Sequence, residues 1–435
     1  MTVEHLHGVP HLTTALSGPL HHIESVLLKQ QSRIESWLRD QWSTYPAPFY
    51  TSVDLRNAGF KLAPVDTNLF PAGFNNLNTT FNSLCIQAIQ TTIEHLCPTA
   101  AGILLIPENH TRNQFYLESL ATLYDYISKA GFTVHIGSLD PELKEKRQID
   151  LPSGKKITLN PLIRHKNKVG IEDFEPCMIL LNNDLSAGKP EILMGLDQTV
   201  TPPLDLGWSN RLKSTHFGHY SDIANEFCKL VDLDPWLIDP LFRNCGQLDF
   251  KKREGESCLV RNSEKLLTAI QEKYDEYGIK EKPFIIVKAD AGTYGMGIMT
   301  IHSPDEIADL NRKQRKKMSS AKDGMTVDQV ILQEGVYTFE TWQDANSVAE
   351  PVVYMIDRYV VGGFYRVHTE RGPTENLNAP GMHFQPLAFI EPCNSPCPDM
   401  APDAEPNRFY AYGVIARLAQ IAAAREIAEK QALSI

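Results

Sequence analysis

Long apolar runs, a basic surplus and paired cysteine motifs are all missing from this 435-residue sequence, and each absence excludes something. No run of about eighteen apolar residues occurs, so no membrane span is expected. The N-terminus has no basic start leading into an apolar core, so no secretory signal is expected either. Forty-two Lys and Arg against 53 Asp and Glu leave a formal charge of −11, which supplies no basic face for a nucleic acid. The local exception, Asn311-Arg-Lys-Gln-Arg-Lys-Lys317, reads as a solvated helix or loop. The eight cysteines (85, 97, 177, 228, 245, 258, 393 and 397) are scattered, and Cys393-Asn-Ser-Pro-Cys397 has no second pair at zinc-site spacing. Free thiols in a reducing compartment, and so a soluble cytoplasmic protein without membrane or nucleic-acid partners, are expected. Hydrophobic residues at 42% are ordinary for a globular chain, and this length predicts two or three domains.

What is present centres on Phe284-Ile-Ile-Val-Lys-Ala-Asp-Ala-Gly-Thr-Tyr-Gly-Met-Gly-Ile-Met-Thr-Ile301. Two apolar strand-type runs flank Gly292, Gly295 and Gly297. Such a flap turns backbone N–H groups toward an anion, because no Cβ intervenes at glycine. Lys288 ends the first run and offers a compact positive charge to the same anion. A Walker loop or a dinucleotide fingerprint would need a helix after the glycines; here a strand follows. A plain glycine-rich hairpin is the alternative.

Earlier in the chain, Tyr50 to Leu77 reads as two short strands. Asp54 and Arg56 alternate on the first, Asp66 and Asn68 on the second, so each pair shares a face. An Asp-x-Asn pair offers oxygen ligands suited to Mg²⁺; turn hydrogen bonds before Pro71 are the competing use. A helix is predicted over Ile23–Trp42, ended by Pro46 and Pro48, and another over Ser83–His95. The strand Gly102–Pro107, the amphipathic run Phe115–Ala130 and the strand Phe132–Ile136 imply a parallel βαβ unit with Asn109, Thr111 and Arg112 in its first loop. A hairpin turn about Ser153-Gly154 and a buried strand Pro176–Leu181 follow. The chain turns helical from Gly207. Leu259-Val260 ends a strand, with Ser263 capping a helix that runs to Tyr274. Beyond the flap come a strand at Gln329–Val336, a hairpin about Asp357-Arg358, a polar loop over Thr374–Gly381, a proline-rich loop over Pro392–Pro406 and an alanine-rich helix over Phe409–Leu433.

Taken as a set, helix, glycine flap, polar-ended strand, hairpin with Arg366 and small-residue loop, over roughly Asn210 to Gly381, the order resembles the ATP-grasp superfamily. Asp66-Thr-Asn68 followed by Leu-Phe-Pro-Ala-Gly-Phe-Asn-Asn76 looks like the metal pair and substrate loop of the eukaryotic type of glutathione synthetase, a circularly permuted member. Taken whole, the chain resembles the glutamate–cysteine ligases of a subset of proteobacteria, through Lys61–Asn76, Lys288–Gly297 and Phe364–Asn378.

The resemblance implies an α/β (α+β) protein of ATP-grasp-like, permuted fold. Residues 1–100 would carry metal and substrate groups, 101–206 an inserted βαβ substrate domain, and 207–435 the nucleotide region. It implies an ATP- and Mg²⁺-dependent ligase acting on glutamate and cysteine, with a homodimer admitted. Lys213 and Lys288 would hold phosphates, under a flap of Gly292, Tyr294, Gly295 and Gly297. Gln333 and Glu334 would read adenine and ribose. Asp66, Asn68 and Asp290 would hold Mg²⁺. Arg366 would stabilise the transferring phosphate or a substrate carboxylate, beside Asn376 and Asn378. Asp54, Arg56, Lys61, Asn75 and Arg112 are the remaining substrate candidates. Salt bridges among strand-end charges are the plain alternative for Glu334, Asp357 and Arg366. A glutathione synthetase and a nucleotide-binding regulator without ligase chemistry are the competing functions.

Overall fold

Alternation of side chains along extended strands sorts this chain into three packed cores. The computed structural model describes residues 19–109, 113–292, 298–319, 327–342, 347–386 and 408–433. Expectations on Thr111, Arg112, Tyr294, Gly295, Gly297, Cys393, Cys397 and the loop over Pro392–Pro406 lie outside those residues.

Tyr50–Asn57 (β1), Leu62–Asn68 (β2), Val348–Ile356 (β15), Tyr359–His368 (β16) and His383–Pro386 (β17) form an antiparallel sheet in the order β17-β16-β15-β1-β2. It is covered on both faces. Val353 and Met355 enter one core while Val352, Tyr354 and Ile356 enter another. That is why β15 and β16 read as almost unbroken apolar runs, as doubly covered strands do.

The second sheet has six strands: Gly102–Pro107 (β3), Thr133–Ser138 (β4), Arg147–Asp150 (β5), Lys156–Pro161 (β6), Met178–Asn182 (β9) and Thr199–Thr201 (β10), ordered β10-β9-β3-β4-β6-β5. β3 and β4 are parallel and joined through Gln114–Lys129 (α4), so the βαβ unit forms as the sequence predicts. Asn113 caps α4, its side chain accepting from the Tyr116 N–H. The helix Asn82–Leu96 (α3) packs beside α4. A small hairpin, Ile163–His165 (β7) with Lys168–Gly170 (β8), stands apart from the main sheet.

The third sheet is antiparallel: Phe242–Cys245 (β11), Ile285–Ala289 (β12), Met299–Ile301 (β13) and Val330–Glu334 (β14), ordered β11-β14-β12-β13. β12 and β13 are the two strands expected around the glycines. Glu256–Tyr277 (α6) packs on this sheet, with Asp305–Ala308 (α7) against it and Arg312–Met318 (α8) following. α6 corrects one expectation. The helix starts after Gly255, which takes φ +78, so Leu259 and Val260 are helical. Ser263 lies inside it and donates back to the Val260 carbonyl rather than capping. The first predicted helix is two, Pro19–Lys29 (α1) and Gln31–Thr44 (α2), broken where Gln30 leaves helical geometry.

The remaining helices, Lys213–Val231 (α5) and Arg408–Leu433 (α9), lie against each other. From Tyr410 to Ala424 every residue of α9 is buried. A helix apolar on all sides has to be enclosed. Three of its polar residues are paired: Arg417 with Glu35, Gln420 through its amide N–H groups with Thr51 and the Asp357 carbonyl, and Glu426 with Arg211 and His216.

Candidate active site

One cleft receives side chains from the first and third sheets and from the start of α5. On the first sheet, antiparallel register sets Glu350 opposite Arg366 and Asp54 opposite Asp66. All four line the cleft. Arg366 Nη1 donates to Asp54 Oδ2 at 2.8 Å and also to Glu350 Oε1. Burial works against its charge, but Asp54 and Glu350 more than offset it and hold the guanidinium firmly cationic. Its Nε is buried without a partner. Burial lifts the Asp54 carboxyl above its ordinary range, with Arg366 pulling against it.

The third sheet contributes Lys288 from β12 and Gln333 from β14. Lys288 Nζ donates to the Val65 carbonyl and to Gln333 Oε1, both at 2.8 Å, which uses two of its three protons. Gln333 Nε2 is buried without a partner. Lys213, the first residue of α5, donates to the Gly292 carbonyl at 2.7 Å and lies 4.0 Å above the Trp208 ring. Burial pushes the Lys213 ammonium down to about 8, while Asp66 draws it back up. Burial lowers Lys288 as well, again opposed by Asp66. Burial alone would raise the Asp66 carboxyl. Lys213 and Lys288, with Arg211 and His216 beyond them, hold it below its ordinary value instead.

The structure therefore brings Asp54, Asp66, Lys213, Lys288, Gly292, Gln333 and Arg366 to one place, and adds Asn376 and Asn378 at its edge. The amide oxygen of Asn376 accepts from the Asn378 N–H at 3.0 Å, which sets the loop there.

Other expected site residues are used differently. Lys61 is fully buried and pairs with Glu334 Oε2 at 2.7 Å. The other Glu334 oxygen accepts from Trp236 Nε1 at 3.2 Å, so this carboxylate is committed although it borders the cleft. Arg56 also lines the cleft, but it spends its guanidinium on Glu350 and on the carbonyls of Val336, Pro373 and Glu375, fixing the loop that leads to Asn376. Asp290 accepts from the Ser214 N–H at 2.7 Å and the Ser214 hydroxyl at 2.6 Å. It caps α5 from another segment and so places Lys213. Asn68 Oδ1 accepts from the Phe70 N–H and from Trp208 Nε1, the turn-type use foreseen as the alternative. Asn75 is exposed on a short 3-10 turn outside the cleft lining. The foreseen salt bridges among Glu334, Asp357 and Arg366 do not form: Glu334 pairs with Lys61, and Arg366 with Asp54 and Glu350.

Sequence reasoning missed Glu350, which braces both Arg56 and Arg366. Its signal was a lone charge in an apolar strand run. It also missed the support behind Asp66. Arg211 Nη1 donates to the Thr67 carbonyl at 2.5 Å, His216 Nε2 meets the Thr67 hydroxyl at 2.9 Å, and both side chains converge on Glu426. Those contacts span 144 to 215 positions of chain, and no local pattern joins them.

An α/β enzyme whose sheets gather lysines, an arginine and carboxylates around one cleft is the class that fold and site define. A family model described as GshA, glutamate-cysteine ligase, matches residues 24–427. The chain belongs to that glutamate–cysteine ligase family. A crystal structure from Methylobacillus flagellatus KT, provisionally named a gamma-glutamylcysteine synthetase, is 58% identical, with 97% of this chain and 99% of that chain covered and a TM-score of 0.90. Two further solved structures overlap loosely. A glutathione synthetase-like effector from Globodera pallida is 9% identical over 79% of this chain and 75% of its own, at TM-score 0.34. D-alanyl-alanine synthetase A from Vibrio cholerae is 10% identical over 74% and 81%, at 0.32. Comparison with curated proteins gave no match.

Proposed function

We propose that the cleft joins the γ-carboxylate of L-glutamate to the amine of L-cysteine, driven by cleavage of ATP to ADP and phosphate. The observation that carries this reading is the convergence of Lys213, Lys288, Asp66 and Arg366 on one cleft in a chain of this family. In this reaction the γ-carboxylate attacks the γ-phosphorus of ATP, ADP leaves, and γ-glutamyl phosphate forms. The cysteine amine then attacks the acyl carbon as the free base, and phosphate leaves.

Such chemistry needs positioning and charge stabilisation rather than a protein nucleophile. Lys213 and Lys288 draw in the phosphates from two different elements. Gln333, with an unused amide N–H, faces the nucleotide base. Arg366 is held at fixed charge and orientation by Asp54 and Glu350, so its remaining N–H groups are available to the transferring phosphoryl oxygens or a substrate carboxylate. Asn376 and Asn378 close the amino-acid end.

Among the described residues no group of three or more His, Cys, Asp or Glu side chains is placed to hold a metal. Mg²⁺ is usually bound by one or two carboxylates together with substrate phosphates. Asp66 is the carboxylate suited to hold it, and the ion when bound supplies positive charge against the phosphates.

The test is acceptor choice. Purified protein with ATP, Mg²⁺ and glutamate should release phosphate when cysteine is added and make γ-glutamylcysteine by mass. Release only with γ-glutamylcysteine plus glycine would reassign the protein as a glutathione synthetase. No release with either acceptor would leave a nucleotide binder.

A further inference from the structure

Two thiols outside the cleft form a built pair. Cys245 ends β11 and is buried; Cys258 stands half-buried in the first turn of α6, and their sulfurs lie 3.6 Å apart. The amide of Asn262, one helical turn past Cys258 and so on its face of the helix, donates to both, at 3.0 Å to Cys245 and 3.4 Å to Cys258. An amide N–H aimed at two sulfurs stabilises negative charge on either. Nothing in the ligase chemistry uses these groups.

We infer that Cys245 and Cys258 are a site of reversible thiol–disulfide exchange, oxidised to a disulfide by low-molecular-weight disulfides. Cys258, the more accessible, loses its proton to solvent and attacks one sulfur of RSSR. A mixed disulfide forms and RS⁻ leaves, taking up a proton as RSH. Cys245, deprotonated in turn, attacks Cys258 Sγ and expels the second RS⁻, also released as RSH. Two protein thiols are oxidised and one RSSR is reduced to two RSH. Burial pushes the Cys245 thiol up to about 11, with Asn262 pulling against it, while the 3.6 Å separation of the sulfurs makes the second step intramolecular. The new bond ties α6 to β11, the strand beside β14 and its Gln333.

The inference does not depend on the ligase reading. Full-length protein is incubated with glutathione disulfide, remaining thiols are alkylated, and the peptides are mapped by mass spectrometry. The peptides carrying Cys245 and Cys258 should be recovered joined, two hydrogens lighter, and dithiothreitol should separate them. Asn262→Leu should slow the joining several-fold at neutral pH. Recovery of both cysteines as alkylated thiols, or arrest at a glutathione adduct on Cys258, would overturn the proposal. So would a rate unaffected by Asn262→Leu in a folded variant.

Discussion

Lys213 and Lys288 are two ammonium groups buried within reach of one carboxylate, an arrangement that is costly unless the triad meets a ligand. The buried cations lose hydration, and Asp66 recovers only part of that loss. A polyphosphate entering the cleft would supply the missing negative charge. Removing either end should therefore hurt function more than folding. Lys288→Ala and Asp66→Ala are each expected to lower kcat/KM by about 100-fold or more while circular dichroism stays unchanged. The same burial sets a pH dependence. Lys213 is pushed down to about 8, and its cationic form is the one that holds phosphate, so ATP affinity of the free protein should fall as pH rises from 7 to 9. Lys213→Arg, charged throughout that window, should flatten the dependence in a calorimetric titration. An identical slope in the variant would assign the effect to another group.

Among the elements, α9 does the most to place the site without touching it. It lies against α5, β1 and β2, and its Glu426 ties Arg211 and His216 to Thr67, the residue next to Asp66. Burial would raise the Glu426 carboxyl, but Arg211 and His216 hold it down at about 2. The sign follows from the folded value lying below the ordinary 4.5: this stabilisation is complete above that value and is lost as pH falls toward 2. Glu426→Ala leaves a buried arginine uncompensated and should cost ~3–5 kcal/mol in urea unfolding at neutral pH. A loss under ~1 kcal/mol would mean that the network is slack. At this scale the sequence was largely readable. The strands around the glycine turn, the βαβ unit and the terminal helix follow from period and punctuation, which are local properties. α6 was misjudged because Gly255, a residue that permits left-handed backbone, opens the helix where Ser263 looked like the better cap. The break at Gln30 carries no proline or glycine to announce it.

For the whole molecule, what matters is that residues near position 60 and residues near positions 290 and 366 share one cleft. The sequence suggested that convergence through motif order. It was less able to say which polar residue is spent on structure. Lys61 and Glu334, Arg56 and Glu350, and Asp290 and Ser214 neutralise or cap one another across 76 to 294 positions of chain, pairings that only the assembled sheets create. Among the described residues no helix is long and apolar enough to cross a membrane. We propose that this assembled cleft activates glutamate by transferring phosphate to its γ-carboxylate. It is tested most directly with glutamate labelled with oxygen-18 in that carboxylate, turned over with ATP and cysteine. One labelled oxygen should appear in each inorganic phosphate released; phosphate free of label would rule out a γ-glutamyl phosphate intermediate.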